Sequence, residues 1–302
     1  MSADTVGGVW QYAIELCRQL CAQGDEVVLA TMGGEPGGSQ QAEAGAIAGL
    51  ELRPSKYRLE WMDDPWADVG RAGDWLLSLE REVRPDIVHL NHYAHGDLPW
   101  RAPVLMVGHS CVLSWWQAVH REPAPAEWER YRDRVRSGLQ AAERVVAPTR
   151  AMLVELERHY GPLRASGVIA NGRSPAGMAA AQREPLVLAA GRLWDEGKNI
   201  AALTAVAPRL PWPVFIAGAD QHPDGGRIEL PNVRLLGQLP SDELASWLAR
   251  AAIYALPARY EPFGLSALEA ALAGCALVLG DIPSLREVWG DCAVFVPPDD
   301  HG

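Results

Sequence analysis

The stretch Glu261-Pro262-Phe263-Gly264-Leu265-Ser266-Ala267-Leu268-Glu269 sets two carboxylates, with seven residues between them, around a Phe-Gly-Leu. The apolar run Ile253-Tyr254-Ala255-Leu256-Pro257 before it reads as a buried strand, and the alanine-rich segment after Gly264 as a helix ending at Gly274. A strand, a turn carrying one acid, and a helix with exposed first amides form an anion site. The second acid lies further along the same helix, within reach of whatever extends from that anion. Such an arrangement suits a nucleotide-diphosphate sugar.

Outward from this stretch, strands and helices alternate through the whole chain, which predicts parallel sheets covered by helices. In the first half the pattern predicts a helix over about 9–22 and strands at Glu26–Ala30, Asp86–Leu90, Val104–Val107, Arg144–Ala147 and Gly167–Ala170. Helices are predicted over about 70–83, about 125–142 and from Thr149. The second half restarts with Leu186–Ala190, with later strands near Val214, Val233, Ile253, Ala276 and Ala293. The expected organisation is an α/β protein of two Rossmann-like domains facing a central cleft, 1–172 and 186–302, joined by a linker over 173–185. No strand is expected before the glycine pair Gly7-Gly8, and no closing helix after the run Cys292–Val296. The chain therefore reads as lacking a first strand and a C-terminal helical segment.

With 302 residues, 48% apolar and 22% charged, the chain has room for two cores. The net charge of −11 is spread over both halves, and no basic cluster stands free of acids. Nucleic acid is thus an unsuitable partner, and contact with an anionic membrane is weak and peripheral at most. No apolar stretch reaches spanning length, and no signal peptide is visible. Cys17, Cys21, Cys111, Cys275 and Cys292 form no C-x-x-C pair, so a reducing cytoplasm is expected.

Only Lys56 and Lys198 are lysines. Lys198 lies in Gly191-Arg192-Leu193-Trp194-Asp195-Glu196-Gly197-Lys198-Asn199, a strand-to-helix loop where Arg192 and Lys198 can converge on a diphosphate. The competing reading is a solvated loop in which Asp195 and Glu196 pair with Arg192 and Lys198. Glu261 and Glu269 have alternatives too, as helix-flanking charges or a glycosidase pair. The glycosidase pair leaves the cations and the exposed amides at Phe263-Gly264-Leu265 unexplained. His89, His92 and His95 crowd another strand end; without a carboxylate or cysteine they make a poor metal set, and they read as cleft lining. No D-x-D occurs, so the usual ligands for a metal-held diphosphate are missing from the sequence, and no metal or cofactor is expected. Trp115-Trp116 could stack on acceptor sugar rings or simply pack a helix. Eight of the 12 tryptophans precede residue 180, which inclines the first half towards an acceptor surface.

Taken in order, Gly7-Gly8, His109 in Val107-Gly108-His109-Ser110, Asn171-Gly172, Gly191-Arg192 with Lys198, and Glu261 to Glu269 resemble the motifs of the retaining glycosyltransferases of family 4. The resemblance covers most of the chain and implies the two-domain GT-B fold. It further implies that Arg192, Lys198 and the amides around Phe263, Gly264 and Leu265 hold the donor diphosphate. By the same resemblance Glu269 binds ribose, Glu261 meets the sugar side and His109 reaches a sugar hydroxyl. Gly8 lets its backbone approach the phosphate or acceptor, and Leu236 lies where the base is held by backbone groups. The implied activity is metal-independent transfer of a hexose from a nucleotide-diphosphate sugar to a sugar, lipid or small-molecule acceptor. An inactive protein that only binds nucleotide sugar, and a sugar-nucleotide epimerase, are the alternatives.

Overall fold

A computed structural model of the chain describes residues 1–175, 182–219 and 230–300. These fall into two compact units: Met1–Gln117 with Glu122–Gly172, and Ala118–Arg121 with Arg173–Gly302.

In unit 1 the order is β1 (Ser2–Asp4), α1 (Gly8–Ala22), β2 (Val27–Met32), α2 (Gly38–Gly45), β3 (Leu50–Pro54), α3 (Trp66–Val83) and β4 (Val88–Leu90). There follow β5 (Val104–Val107), α4 (Val112–His120), α5 (Glu129–Ala141), β6 (Arg144–Ala147), α6 (Arg150–Tyr160) and β7 (Ser166–Val168). All strand pairs are parallel, in the orders β1-β2-β3 and β4-β5-β6-β7. Asn91, just past β4, joins these two sheets through side chains: its Nδ2 donates to the Ser2 carbonyl and its backbone N–H to Ser2 Oγ.

β1 corrects the expectation of a missing first strand. Ser2, Ala3 and Asp4 pair in parallel with Ala30, Thr31 and Met32, and all three are buried. Three residues, two of them polar, carry no periodicity, so the local sequence does not mark the strand. α1 buries Trp10, Ala13, Ile14 and Cys17, the i, i+3, i+4, i+7 stripe of a helix on a sheet. Cys17 is fully buried in this stripe.

Unit 2 contains β8 (Glu184–Ala190), α7 (Ile200–Val206), β9 (Val214–Ala217), β10 (Arg234–Gly237), α8 (Ser241–Arg250) and β11 (Ala251–Leu256). It continues with α9 (Leu265–Leu272), β12 (Ala276–Gly280), α10 (Pro283–Trp289) and β13 (Val294–Val296). The six strands are parallel in the order β10-β9-β8-β11-β12-β13. Numbered within the unit this is 3-2-1-4-5-6, the doubly wound order whose ligand crevice lies where the winding reverses, at the C-terminal ends of its first and fourth strands. Here those strands are β8 and β11. The core between sheet and helices includes Leu186, Leu188, Tyr254, Leu256 and Leu279.

Part of the expected linker, 176–181, lies outside the described residues. Arg183, at its end, is bound into unit 2. Its Nη1 donates to the carbonyls of Leu248, Ala249 and Ala251 at 2.8–2.9 Å, and its Nη2 donates to Ala273. One guanidinium thus satisfies orphan carbonyls at the ends of α8 and α9. Among the described residues no helix is long and apolar enough to cross a membrane, and no group of three or more His, Cys, Asp or Glu is arranged to hold a metal ion.

Candidate active site

The sequence-selected residues of unit 2 lie on the loops that leave β8 and β11. After β8 the chain turns at Gly191 and passes Arg192. Asp195 then accepts from the Gly197 N–H at 2.9 Å and from Arg192 Nη2 at 2.7 Å. The Arg192 guanidinium also lies over the Trp194 ring, 5.1 Å from its centroid. The internal pairing weighed from sequence is therefore present for Arg192. Lys198 does otherwise: its Nζ donates to Glu261 Oε2 at 2.5 Å, and the two side chains are only 15% and 12% exposed.

Backbone contacts bind the two loops together. The Gly197 carbonyl accepts from Arg259 N and Tyr260 N at 2.9 and 3.1 Å. Asn199, left-handed at φ 56° and 2% exposed, donates through Nδ2 to the carbonyls of Pro257 and Pro298. Gly218, at the end of β9, has φ 146°, and a Cβ there would lie 1.7 Å from the Gly191 carbonyl oxygen. Only glycine lets the Gly191 loop settle this close.

Glu261 caps the turn into α9. Its Oε1 accepts from Phe263 N at 3.3 Å and Gly264 N at 2.9 Å, and Gly264 takes the left-handed φ of 91° that the turn requires. The amides assigned to an anion are thus held by a carboxylate of the chain itself. Phe263 contributes only its backbone here, since its side chain is 5% exposed and buried. Leu265, the first residue of α9, is half-buried. Glu269 lies one turn further along and pairs with Arg173 Nε at 2.8 Å, both side chains nearly buried. Leu236, on β10, packs against the unit's core.

In unit 1 Gly8 opens α1, exposed, after Gly7 in its left-handed conformation (φ 83°). His109 follows β5 with Nε2 2.7 Å from Asn91 Oδ1, and the Tyr12 ring meets it edge-on at 4.5 Å between centroids. Burial, with His89 nearby, pushes its pKa down to about 3. His92 and His95 are 4% and 3% exposed, which corrects their reading as cleft lining. Burial pushes them down to about 3 and 4, and neither nitrogen of His92 has a hydrogen-bond partner among the described residues. Trp115 and Trp116 are half-buried on α4 and meet edge-on.

Sequence reasoning missed Asn91 and Arg173. Asn91 gains its role from Ser2, 89 residues away, and Arg173 was assigned to the linker; neither carried a local signal.

The geometry thus brings Arg192, Lys198, Glu261 and the N-terminus of α9 to the winding reversal of unit 2, and neutral hydrogen-bonding groups to strand ends of unit 1. The profile described as Glycosyltransferase Family 4 matches residues 6–176, and that described as Glycosyl transferases group 1 matches 184–302. Glycogen synthase of Mycobacterium tuberculosis is 28% identical over an alignment covering 98% of this chain and 80% of the relative. In fold the chain is similar to sucrose-phosphate synthase from Thermosynechococcus elongatus (TM-score 0.78, 18% identity, covering 99% of this chain and 82% of that one). It is also similar to Anabaena HepE in complex with UDP-glucose (TM-score 0.74, 15% identity, 100% and 86% covered). The fold is GT-B, and the chain belongs to glycosyltransferase family 4.

Proposed function

We propose that the protein transfers a hexosyl group from a nucleotide-diphosphate sugar to a hydroxyl of a sugar, lipid or small-molecule acceptor, retaining anomeric configuration and using no metal ion. The observation that carries this reading is the Lys198–Glu261 pair on the amides that open α9, at the ends of β8 and β11. A diphosphate brings more charge than one carboxylate and can span both cation and amides, so it can displace Glu261 from them. Glu261, released, is then free for sugar hydroxyls. The Glu269 carboxylate is an acceptor suited to ribose hydroxyls once Arg173 yields. HepE, a structural relative, was solved with UDP-glucose.

In the reaction the bond between the anomeric carbon and the diphosphate oxygen breaks with its electron pair going to the diphosphate. The acceptor hydroxyl oxygen bonds to the same face of that carbon, and its proton passes to the departing diphosphate. Arg192, Lys198 and the amides near Gly264 meet the charge that develops, a contribution of several kcal/mol in sites of this type. A protein base is not required, and His109, with its pKa near 3, is a poor one at neutral pH.

The test is incubation of the full chain with UDP-, GDP- and ADP-sugars in EDTA, following nucleotide release and the anomeric configuration of the product. Release of nucleotide with a retained anomer is expected. Binding without release would select the inert reading, donor consumption that needs no acceptor and yields an isomerised sugar would select the epimerase, and rescue only by manganese would overturn metal independence.

A further inference from the structure

Asn91 is 7% exposed and held from two sides. Its Nδ2 donates to the Ser2 carbonyl at 2.6 Å, and its backbone N–H donates to Ser2 Oγ at 3.0 Å. A carbonyl oxygen only accepts, so the amide cannot be turned round without setting two oxygens 2.6 Å apart. Its Oδ1 must therefore face His109 Nε2, 2.7 Å away. An amide oxygen also only accepts, which makes Nε2 the donor and places the ring proton there. In a neutral imidazole the other nitrogen then carries a lone pair, and His109 Nδ1 makes no hydrogen bond to another described residue.

The groups around the ring favour the neutral form. Tyr12 from α1 packs edge-on, and burial pushes its phenol up to about 12, so it stays uncharged. His89, on β4, also comes within hydrogen-bond reach of Asn91, and burial lowers it to about 4; the Met1 amino group stands near it. Burial lowers His92, close enough to feel His109, to about 3.

We propose that Asn91 is a positioning residue that locks His109 as its Nε2–H tautomer, so that the ring presents the Nδ1 lone pair to a hydroxyl hydrogen of a ligand. That the ligand is a sugar rests on the transferase reading above; the tautomer does not. A point built this way takes a hydrogen-bond donor, and a sugar that is deoxygenated or esterified there leaves the lone pair unmet.

The experiment is histidine-selective 15N labelling of the full chain, with long-range 1H–15N correlation spectra recorded without substrate. Loss of one signal set in H109Q assigns the ring. The wild-type protein should show a neutral Nε2–H tautomer at pH 7; an Nδ1–H ring, or one averaging between the two, overturns the proposal. In N91L the Nε2 proton loses its acceptor and should exchange faster with solvent, and an unchanged Nε2–H signal and exchange rate overturns the proposal equally. Should N91L fail to fold, N91D is read instead. Its carboxylate facing Nε2 should bring protonation of His109 up to above about pH 5, whereas a ring still neutral at that pH means residue 91 does not address it. Because no donor or acceptor is present, failure here leaves the transferase reading standing. Absence of turnover with every nucleotide sugar would in turn leave the tautomer standing.

Discussion

The two units use strands in the same way and fill the loops with opposite chemistry. In unit 1 the positions beyond β1, β4 and β5 carry a glycine pair, Asn91 and a neutral, largely enclosed His109. In unit 2 the positions beyond β8 and β11 carry Arg192–Asp195 and Lys198–Glu261, with Arg173–Glu269 on α9. Uncharged groups with fixed donor and acceptor roles discriminate hydroxyls by hydrogen bonding. Cations already paired with carboxylates bind an anion by exchange, so only a ligand with more charge and more reach than a carboxylate gains from the swap. On the proposed reading, the charged loops of unit 2 suit a diphosphate and the neutral groups of unit 1 suit hydroxyls.

The largest effect should come from Lys198→Ala. We expect turnover of the preferred nucleotide sugar to fall by on the order of 10²-fold or more, with Tm nearly unchanged. Wild-type kcat/KM in this variant would break the assignment of charge chemistry to unit 2.

Acid should separate the units next. Burial lowers His89, His92, His95 and His109 to about 3–4. The unfolded chain therefore binds more protons than the folded one below about pH 6.5. Stability that these groups leave intact at neutral pH is lost as pH falls from there towards the folded values. Glu60, raised by burial to about 7, works in the opposite direction, since its ionised form costs stability above the ordinary carboxylate range. Four histidines outweigh one carboxyl, and by pH 4 unit 1 should have lost about 3 kcal/mol or more. Hydrogen exchange at pH 7 and 4.5 reads this as protection lost first in β4 and β5; equal loss in β8 and β11 would contradict it.

Arg183→Ala frees four carbonyl acceptors at the ends of α8 and α9 and should cost about 2–3 kcal/mol, confined to unit 2. Urea unfolding followed by hydrogen exchange in α8, α9 and β11 checks it. The smallest effect is expected for Arg192→Gln, about tenfold in kcat/KM, because Asp195 and Trp194 already engage that guanidinium. A loss matching that of Lys198→Ala would show the two cations acting as one unit.

The alternation of strands and helices, and the two loops of unit 2, were legible because they rest on local pattern: an apolar run, then a turn, then a helix start. The Glu261–Glu269 spacing placed both acids on one turn-and-helix element, as found. What escaped the sequence depends on distant partners. β1 is three residues long and is defined by pairing with β2 rather than by its own composition. Asn91 has meaning only beside Ser2 and His109. Arg173 looks like linker until Glu269 takes it up. The occupancy of the α9 amides by Glu261 is a matter of side-chain rotamer, which spacing alone does not specify.

The most direct measurement is calorimetric titration of UDP-, GDP- and ADP-glucose into the wild-type chain and Lys198→Ala, in EDTA, with nucleotide release followed on the same samples. The account predicts that at least one of these donors binds and is turned over by the wild-type protein, and that both properties collapse in the variant. Equal affinity and equal turnover in the two proteins would contradict it.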